Sequence, residues 1–277
     1  SHTFRERIFM KLLFTDLDGT LLNNRSEVSA GSRAFLERFL ADGNKFLLSS
    51  GRPLPSVQEV LRLSGLPSAG VLLICNNGTL VYDCDSKRNI MEKRLPFSSV
   101  AYLQEQARLH HVHIQTYTDD SVICEEEDDE IRYYRRKIHV PLILTQDFVS
   151  VLPKEPFKML AASLTDHEKL VRFSEALAPW AEGKIQAIFS NEKYLELFRE
   201  DAGKGNAVRF VCDYFHVPLT DAYAAGDAEN DISMLEAAGT GIAMANATEQ
   251  VKKSADVITE VDNDNDGLVL MLEKLLA

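Results

Sequence analysis

Short apolar runs punctuated by polar turns dominate the first third of the chain. Ile8-Phe9-Met10-Lys11-Leu12-Leu13-Phe14 leads directly into Asp16-Leu17-Asp18-Gly19-Thr20, which reads as a buried strand stopping at two carboxylates and a glycine. A helical pattern follows from Ser29 to Ala41, with Phe35, Leu36, Phe39 and Leu40 on one face and Gly43 as its stop. Lys45–Ser49 is a second strand, Gly51-Arg52-Pro53 turns the chain into a helix through Leu63, and Val71–Cys75 is a third strand. Strands apolar along their whole length, alternating with helices, predict a parallel sheet covered on both faces.

The pattern changes after Asn77-Gly78, a hairpin signal continued by Leu80-Val81-Tyr82. From about 83 to 190, helical stretches near 97–110 and 166–178 mix with isolated strands such as 122–124 and 158–162, an α+β grammar. The α/β rhythm then returns. It gives a helix at 204–215, a strand at 221–225, a helix at 232–238, short strands near 241–244 and 257–258, and a Leu-rich helix from Leu268. The expected fold is α/β: a doubly wound, Rossmann-like parallel-sheet core built from 1–82 and 191–277, with a smaller α+β domain inserted at 83–190. Sites in such sheets lie beyond the carboxyl ends of the strands, where Asp16, Ser50 and Asp227 fall.

Composition narrows the partners. A chain of 277 residues, 45% hydrophobic and 26% charged, is a globular protein with room for two cores. Its net charge of −12 argues against nucleic-acid or anionic-membrane partners, because it offers no broad attraction for phosphate backbones. A small phosphate ester remains compatible, since Mg²⁺ and a few local cations can neutralise one phosphoryl group. The scattered Cys75, Cys84, Cys124 and Cys212 contain no C-x-x-C pair and are expected as reduced thiols of a cytoplasmic protein. No signal-peptide core or membrane-length apolar stretch is present, and Met10 stands as a plausible start behind nine further residues.

The acidic strand ends suit phosphoryl transfer, which needs a nucleophile, a proton for the leaving oxygen and cations for the phosphoryl oxygens. On an extended strand Asp16 and Asp18 would share a side, so one could attack while the other moves a proton. Gly19 would permit a tight turn that Thr20 could tie down. A hydroxyl at Ser50 with the amide of Gly51, beside Arg52, could bind a phosphate oxygen. Lys204 at a helix start could neutralise both Asp16 and the phosphate. In Gly226-Asp227-Ala228-Glu229-Asn230-Asp231, Asp227 is the natural metal ligand, with Asn230 and Asp231 behind it, and oxygen ligands favour Mg²⁺ over zinc.

Together the D-x-D-G-T strand end, Ser49-Ser50-Gly51-Arg52, the helix-start Lys204 and G-D-x-x-N-D resemble the four motifs of the haloacid dehalogenase superfamily. The chain is most similar to its Cof-type phosphatases with a type-two cap. The resemblance spans nearly the whole chain and extends to Ala243-Met244-Ala245-Asn246-Ala247 and Asp266-Gly267. It implies Asp16 as nucleophile and Asp18 as general acid/base. It further implies that Ser50 and Lys204 hold phosphate, that Gly51, Arg52 and Asn230 contact phosphate or substrate, and that Asp231 lies in support. Mg²⁺ would be bound by Asp16, the Asp18 carbonyl and Asp227. The implied activity is Mg²⁺-dependent hydrolysis of a small phosphorylated metabolite, such as a sugar phosphate or phosphorylated cofactor, through an aspartyl-phosphate. Asp18 points to phosphoesters rather than carbon–halogen bonds. A serine stands where threonine is common before Gly51, and Asp201-Ala202-Gly203 before Lys204 is an unusual approach.

A phosphomutase could use the same residues, and a phospho-accepting receiver module also combines acids, a hydroxyl and a lysine. Asp262-Asn263-Asp264-Asn265-Asp266-Gly267 with Glu273 matches a calcium-loop pattern, yet a strand-like segment precedes it and apolar residues crowd the loop. It reads better as the entry to a packed helix. Glu125–Glu130 reads as a solvated loop or helix start, and His110, His111 and His113 as surface or packing residues.

Overall fold

A computed structural model describes residues 9–276; residues 1–8, most of the segment ahead of Met10, lie outside the described residues. The first third forms β1 (Leu12–Asp16), α1 (Ala30–Ala41), β2 (Lys45–Ser49), α2 (Leu54–Ser64) and β3 (Val71–Cys75). Ser29 starts α1 by accepting the Ser32 N–H, and Gly65 at φ +73° ends α2 in the left-handed conformation that glycine takes without strain. β4 (Leu80–Asp83) and β5 (Arg88–Glu92) follow as an antiparallel pair.

The middle of the chain supplies α3 (Phe97–Leu109), β6 (His113–Tyr117), β7 (Val122–Cys124), α4 (Asp129–Lys137), β8 (Leu142–Leu144), α5 (Phe148–Val151), β9 (Met159–Ala162), α6 (His167–Ala181), β10 (Ile185–Asn191) and β11 (Tyr194–Arg199). The last part adds α7 (Lys204–Tyr214), β12 (Ala222–Gly226), α8 (Ile232–Ala237), β13 (Thr240–Ala243), α9 (Glu249–Ser254), β14 (Val257–Ile258) and α10 (Gly267–Leu275). The acidic run is a helix start. Asp128 caps α4, Asp129 and Glu130 occupy its first turn, and Arg135, Arg136 and Lys137 its last, matching both ends of the helix dipole.

Among the described residues the strands form two sheets, ordered β14-β13-β12-β1-β2-β3-β4-β5 and β10-β11-β9-β6-β7-β8. The first is parallel from β14 to β3 and antiparallel at β4 and β5; the second is antiparallel except where β7 meets β8. This is the α/β architecture expected, a mainly parallel core sheet with a mixed-sheet cap. The strands change sheets after Glu92 and again after Arg199, whereas the pattern change in the sequence suggested borders at 83 and 190.

Each face of the core sheet carries its own apolar cluster, one around Leu13, Phe46 and Leu73 and the other around Phe14, Leu47 and Val208. A separate cluster around Phe148, Phe173 and Leu197 fills the cap. β1 lies between β2 and β12, so the chain winds one way through β2 and β3 and returns on the other side through β12 and β13. Strand order reverses at β1, which opens a crevice at its carboxyl end. No helix among the described residues is long and apolar enough to cross a membrane.

Candidate active site

Asp16 closes β1 beside Ser49 of β2, and the chain then leaves the sheet in a tight loop. Its Oδ1 accepts the Leu17 N–H at 2.8 Å and the Lys204 ammonium at 3.1 Å. Gly19 is required twice over. It sits at φ +77°, and a Cβ there would come within 2.3 Å of Asp227 Oδ2. The Thr20 hydroxyl, expected to tie down its own turn, instead donates to Asp227 Oδ1 at 3.0 Å and so joins the β1 loop to the β12 loop.

Lys204 opens α7 and is 1% exposed. Its Nζ donates to Asp231 Oδ1 at 2.6 Å, Asp16 Oδ1 at 3.1 Å and the Ser49 carbonyl at 3.3 Å. All three ammonium protons are engaged, so it acts first as the counter-charge of the two aspartates. Burial opposes that charge, but Asp16 and Asp231 outweigh burial and raise Lys204 above the ordinary lysine range. Asp231 is fully buried, and its Oδ2 accepts the N–H groups of Asp227 and Ala228, fixing the turn that presents Asp227.

Ser50 follows β2, and its hydroxyl oxygen accepts the Arg52 N–H at 3.0 Å, which leaves the hydroxyl proton free to donate. The Arg52 guanidinium grips Asp18, with Nη2–Oδ1 at 2.8 Å and Nε–Oδ2 at 3.2 Å, and Lys137 of α4 adds a contact at 3.0 Å. The strand has already ended at Asp16, so Asp18 reaches the same cavity from the loop rather than by strand alternation. Burial would raise its carboxyl, but Arg52 and then Lys137 prevail and hold it below the usual range. In this arrangement Asp18 is held as the carboxylate; taking up a proton requires those cations to turn toward a bound anion.

Asn77 was legible in the sequence only as a hairpin residue. At φ +62°, just beyond β3, it packs its side chain into the site. Asn230 Nδ2 donates to Asn77 Oδ1 at 2.9 Å, while Asn77 Nδ2 and Asn230 Oδ1 are buried without partners. Its place at the carboxyl edge of a parallel strand was the signal that could have flagged it.

Asp16, Asp227 and Asp231 bring carboxylate oxygens within 4.8 Å of one another, the one such grouping with metal-ligand character among the described residues. Asp231 is committed to Lys204 and two backbone amides, which leaves Asp16 and Asp227 as the freer ligands. Burial, then the charge of Asp231, pushes Asp16 well above the ordinary carboxyl range; the same two causes lift Asp227 to about 6. Crowded, buried oxygen donors of this kind fit a hard divalent cation, which would relieve their repulsion.

A pH dependence follows from Asp227. Between the ordinary carboxyl value and about 6, the metal-free fold binds a proton that the unfolded chain does not. The stability this group contributes is therefore present at low pH and lost as pH rises through about 6. A divalent cation bound here would compete with that proton, so added Mg²⁺ should raise the Tm more at about pH 7.5 than at about pH 5. Thermal unfolding at both pH values checks this, and an equal gain at both would contradict it.

A cavity of about 700 Å³ opens above these groups. The core supplies its floor, and Tyr133, Arg136, Lys137, Lys158, Tyr194 and Glu196 of the cap line it from above. The calcium-loop pattern is otherwise employed: Asp264 accepts the Asn24 N–H, Asp266 accepts the Ser29 hydroxyl, and Gly267 begins α10. His113 pairs with Asp128, and His110 bonds the Gln106 carbonyl of its own helix. The four cysteines are unpaired.

The family model for haloacid dehalogenase-like hydrolases matches residues 13–272. Phosphatase YwpJ of Bacillus subtilis is 28% identical over 289 residues, spanning 96% of this chain and 100% of that protein. Pyridoxal phosphate phosphatase YbhA of Escherichia coli is 27% identical over 275 residues, spanning 93% and 96%. The crystal structure of a haloacid dehalogenase-like hydrolase from Bacteroides thetaiotaomicron aligns with a TM-score of 0.83 and 31% identity, over 96% of this chain and 99% of that one. Matched from β1 into α10 and carrying its acidic residues at the carboxyl ends of the neighbouring β1 and β12, the chain belongs to the haloacid dehalogenase-like hydrolases.

Proposed function

We propose that the protein is a Mg²⁺-dependent phosphatase of small phosphorylated metabolites, sugar phosphates or phosphorylated cofactors, working through an aspartyl-phosphate. The observation that carries this reading is the convergence of Asp16, Ser50 and Asp227 on one cavity edge, with Lys204 bonded to Asp16 beneath it, in a family of hydrolases. The phosphatase names of the relatives, one of them acting on pyridoxal phosphate, support the substrate class. Asp16 and Asp227, with the Asp18 carbonyl, would hold Mg²⁺, which when bound would keep Asp16 ionised and neutralise phosphoryl oxygens.

In the first step an Asp16 oxygen attacks phosphorus, the P–O ester bond breaks, and the leaving alkoxide takes a proton from Asp18. Asp18 takes that proton from solvent water once Arg52 and Lys137 turn toward the phosphoryl group, and it recovers one in the second step. In the second step water attacks the aspartyl-phosphate, Asp18 takes the water's proton, and Asp16 is released with inorganic phosphate. Ser50 and the Gly51 amide would donate to phosphoryl oxygens, Arg52 and Asn230 would contact phosphate or leaving group, and Asp231 would hold Lys204 and the Asp227 turn. The cap would close over the ester and exclude water from the first step.

Phosphate release across a panel of phosphorylated sugars, nucleotides and cofactors, with and without Mg²⁺, tests the reading. Release that needs the metal is expected. A folded protein that returns the phosphate to its substrate would instead be a mutase, and one that releases nothing from the panel would remove the proposal's support.

A further inference from the structure

The cap buries an ion pair that the proposed chemistry does not use. Lys158, just ahead of β9, and Glu196 on β11 are each about 3% exposed, and Lys158 Nζ donates to Glu196 Oε2 at 3.0 Å. The pair is held firmly from its own side. The Thr116 hydroxyl donates to the Lys158 carbonyl, and the Ser190 hydroxyl donates to Glu196 Oε1. A second proton of Lys158 crosses to the core and is donated to the Gly51 carbonyl. Glu196 also packs close behind, with Oε1 3.4 Å from where a Cβ on Gly51 would lie.

The carbonyls of the Ser50-Gly51-Arg52 loop show why this contact matters. A carbonyl oxygen turned toward a phosphate would repel it. The Ser50 carbonyl accepts the Asn77 N–H and the Arg52 carbonyl accepts the Asn76 N–H, each at 3.0 Å. Both of these holds come from the core. The middle carbonyl, that of Gly51, is held by the cap lysine. The peptide between Gly51 and Arg52 is thus pinned at both ends, its oxygen by Lys158 and its N–H by Ser50 Oγ. If that peptide rotates, Ser50 loses the donor that orients its hydroxyl. The backbone that carries Arg52 and its grip on Asp18 shifts with it.

A buried ion pair contributes little net stability, because desolvation offsets the attraction, and an apolar pair of similar size would serve the fold as well. We propose that Lys158, held by Glu196, is a positioning residue: it fixes the phosphate-binding loop through the Gly51 carbonyl, and does so only while the cap is seated. The inference rests on the phosphatase reading of this site and adds to it a means by which cap closure completes the phosphate pocket.

The test is the double variant Lys158→Met/Glu196→Leu, which removes the contact without stranding a buried charge, beside Lys158→Gln, whose shorter side chain keeps a partner for Glu196. Binding of inorganic phosphate in the presence of Mg²⁺ is read by calorimetry, and turnover and Tm are read in parallel. In both variants the phosphate Kd should rise about tenfold and kcat fall about 100-fold, with the Tm of the double variant at the parent value. Parent values of Kd and kcat in folded variants would overturn the inference, as would a parent protein that binds no phosphate. If the parent hydrolyses no ester, the phosphatase reading fails separately, and the phosphate Kd still decides this one.

Discussion

Asp16→Asn should abolish phosphate release, by about 10⁴-fold or more, while leaving the fold as stable as the parent. The amide keeps the shape of the side chain and an oxygen to accept from Leu17 and Lys204, so the end of β1 has no reason to move. It cannot form the acyl-phosphate, because its nitrogen and neutral oxygen lack the nucleophilic charge. The stability side of the expectation follows from electrostatics. Asp16 is buried against Asp227 and Asp231, and its carboxyl is already pushed well above the ordinary range. A neutral asparagine removes one member of that crowd, so the metal-free variant should match or exceed the parent Tm at neutral pH. Phosphate release and thermal unfolding check both halves. Full metal-dependent turnover in the variant would remove Asp16 from the nucleophile role.

The strands that carry the site were legible because each is apolar on both faces and stops at a polar or glycine residue. Leu12–Asp16, Lys45–Ser49 and Ala222–Gly226 need no partner to be recognised, and the rule that ligands sit at carboxyl ends then gathers Asp16, Ser50 and Asp227. The cap was less legible. β11 reads Tyr-Leu-Glu-Leu-Phe-Arg, and a glutamate inside a buried strand breaks the apolar pattern from which strands are read. Only its long-range neighbour, Lys158, makes that position neutral. β10 is half-exposed over most of its length and offers a diluted version of the same signal.

Asp18 marks another limit. Two residues beyond Asp16, it looked like a strand neighbour on the same side. In the fold the strand has ended, and Arg52 and Lys137, 34 and 119 positions away, decide where its carboxylate points. Asn77 escaped for a related reason. A turn residue is recognised by its local conformation, and its contact with Asn230 spans 153 positions.

Lys204→Met should be the most costly single change for the fold, and its cost should depend on pH and metal. The side chain is fully buried and its ammonium meets both Asp16 and Asp231. Removing one partner of a buried charge cluster typically costs about 3–5 kcal/mol, because the remaining charges keep their desolvation without their attraction. Here the remaining charges are three aspartates, two of them already raised toward the neutral form. Loss of the lysine raises them further, so the folded variant holds protons that the unfolded chain releases. The penalty should accordingly be smallest in acid and grow as pH rises past the ordinary carboxyl range. A divalent cation bound among the aspartates would supply the missing charge, so Mg²⁺ should raise the Tm of the variant by more than that of the parent. Turnover should fall by about 10²–10³-fold, the scale on which loss of one preorganised partner of the reacting charge is felt. Thermal unfolding across pH, with and without Mg²⁺, reads all of these. A variant with the parent Tm at neutral pH and an unchanged response to metal would mean that the aspartates do not depend on Lys204 for their charge, and the electrostatic account of the site would fail with it.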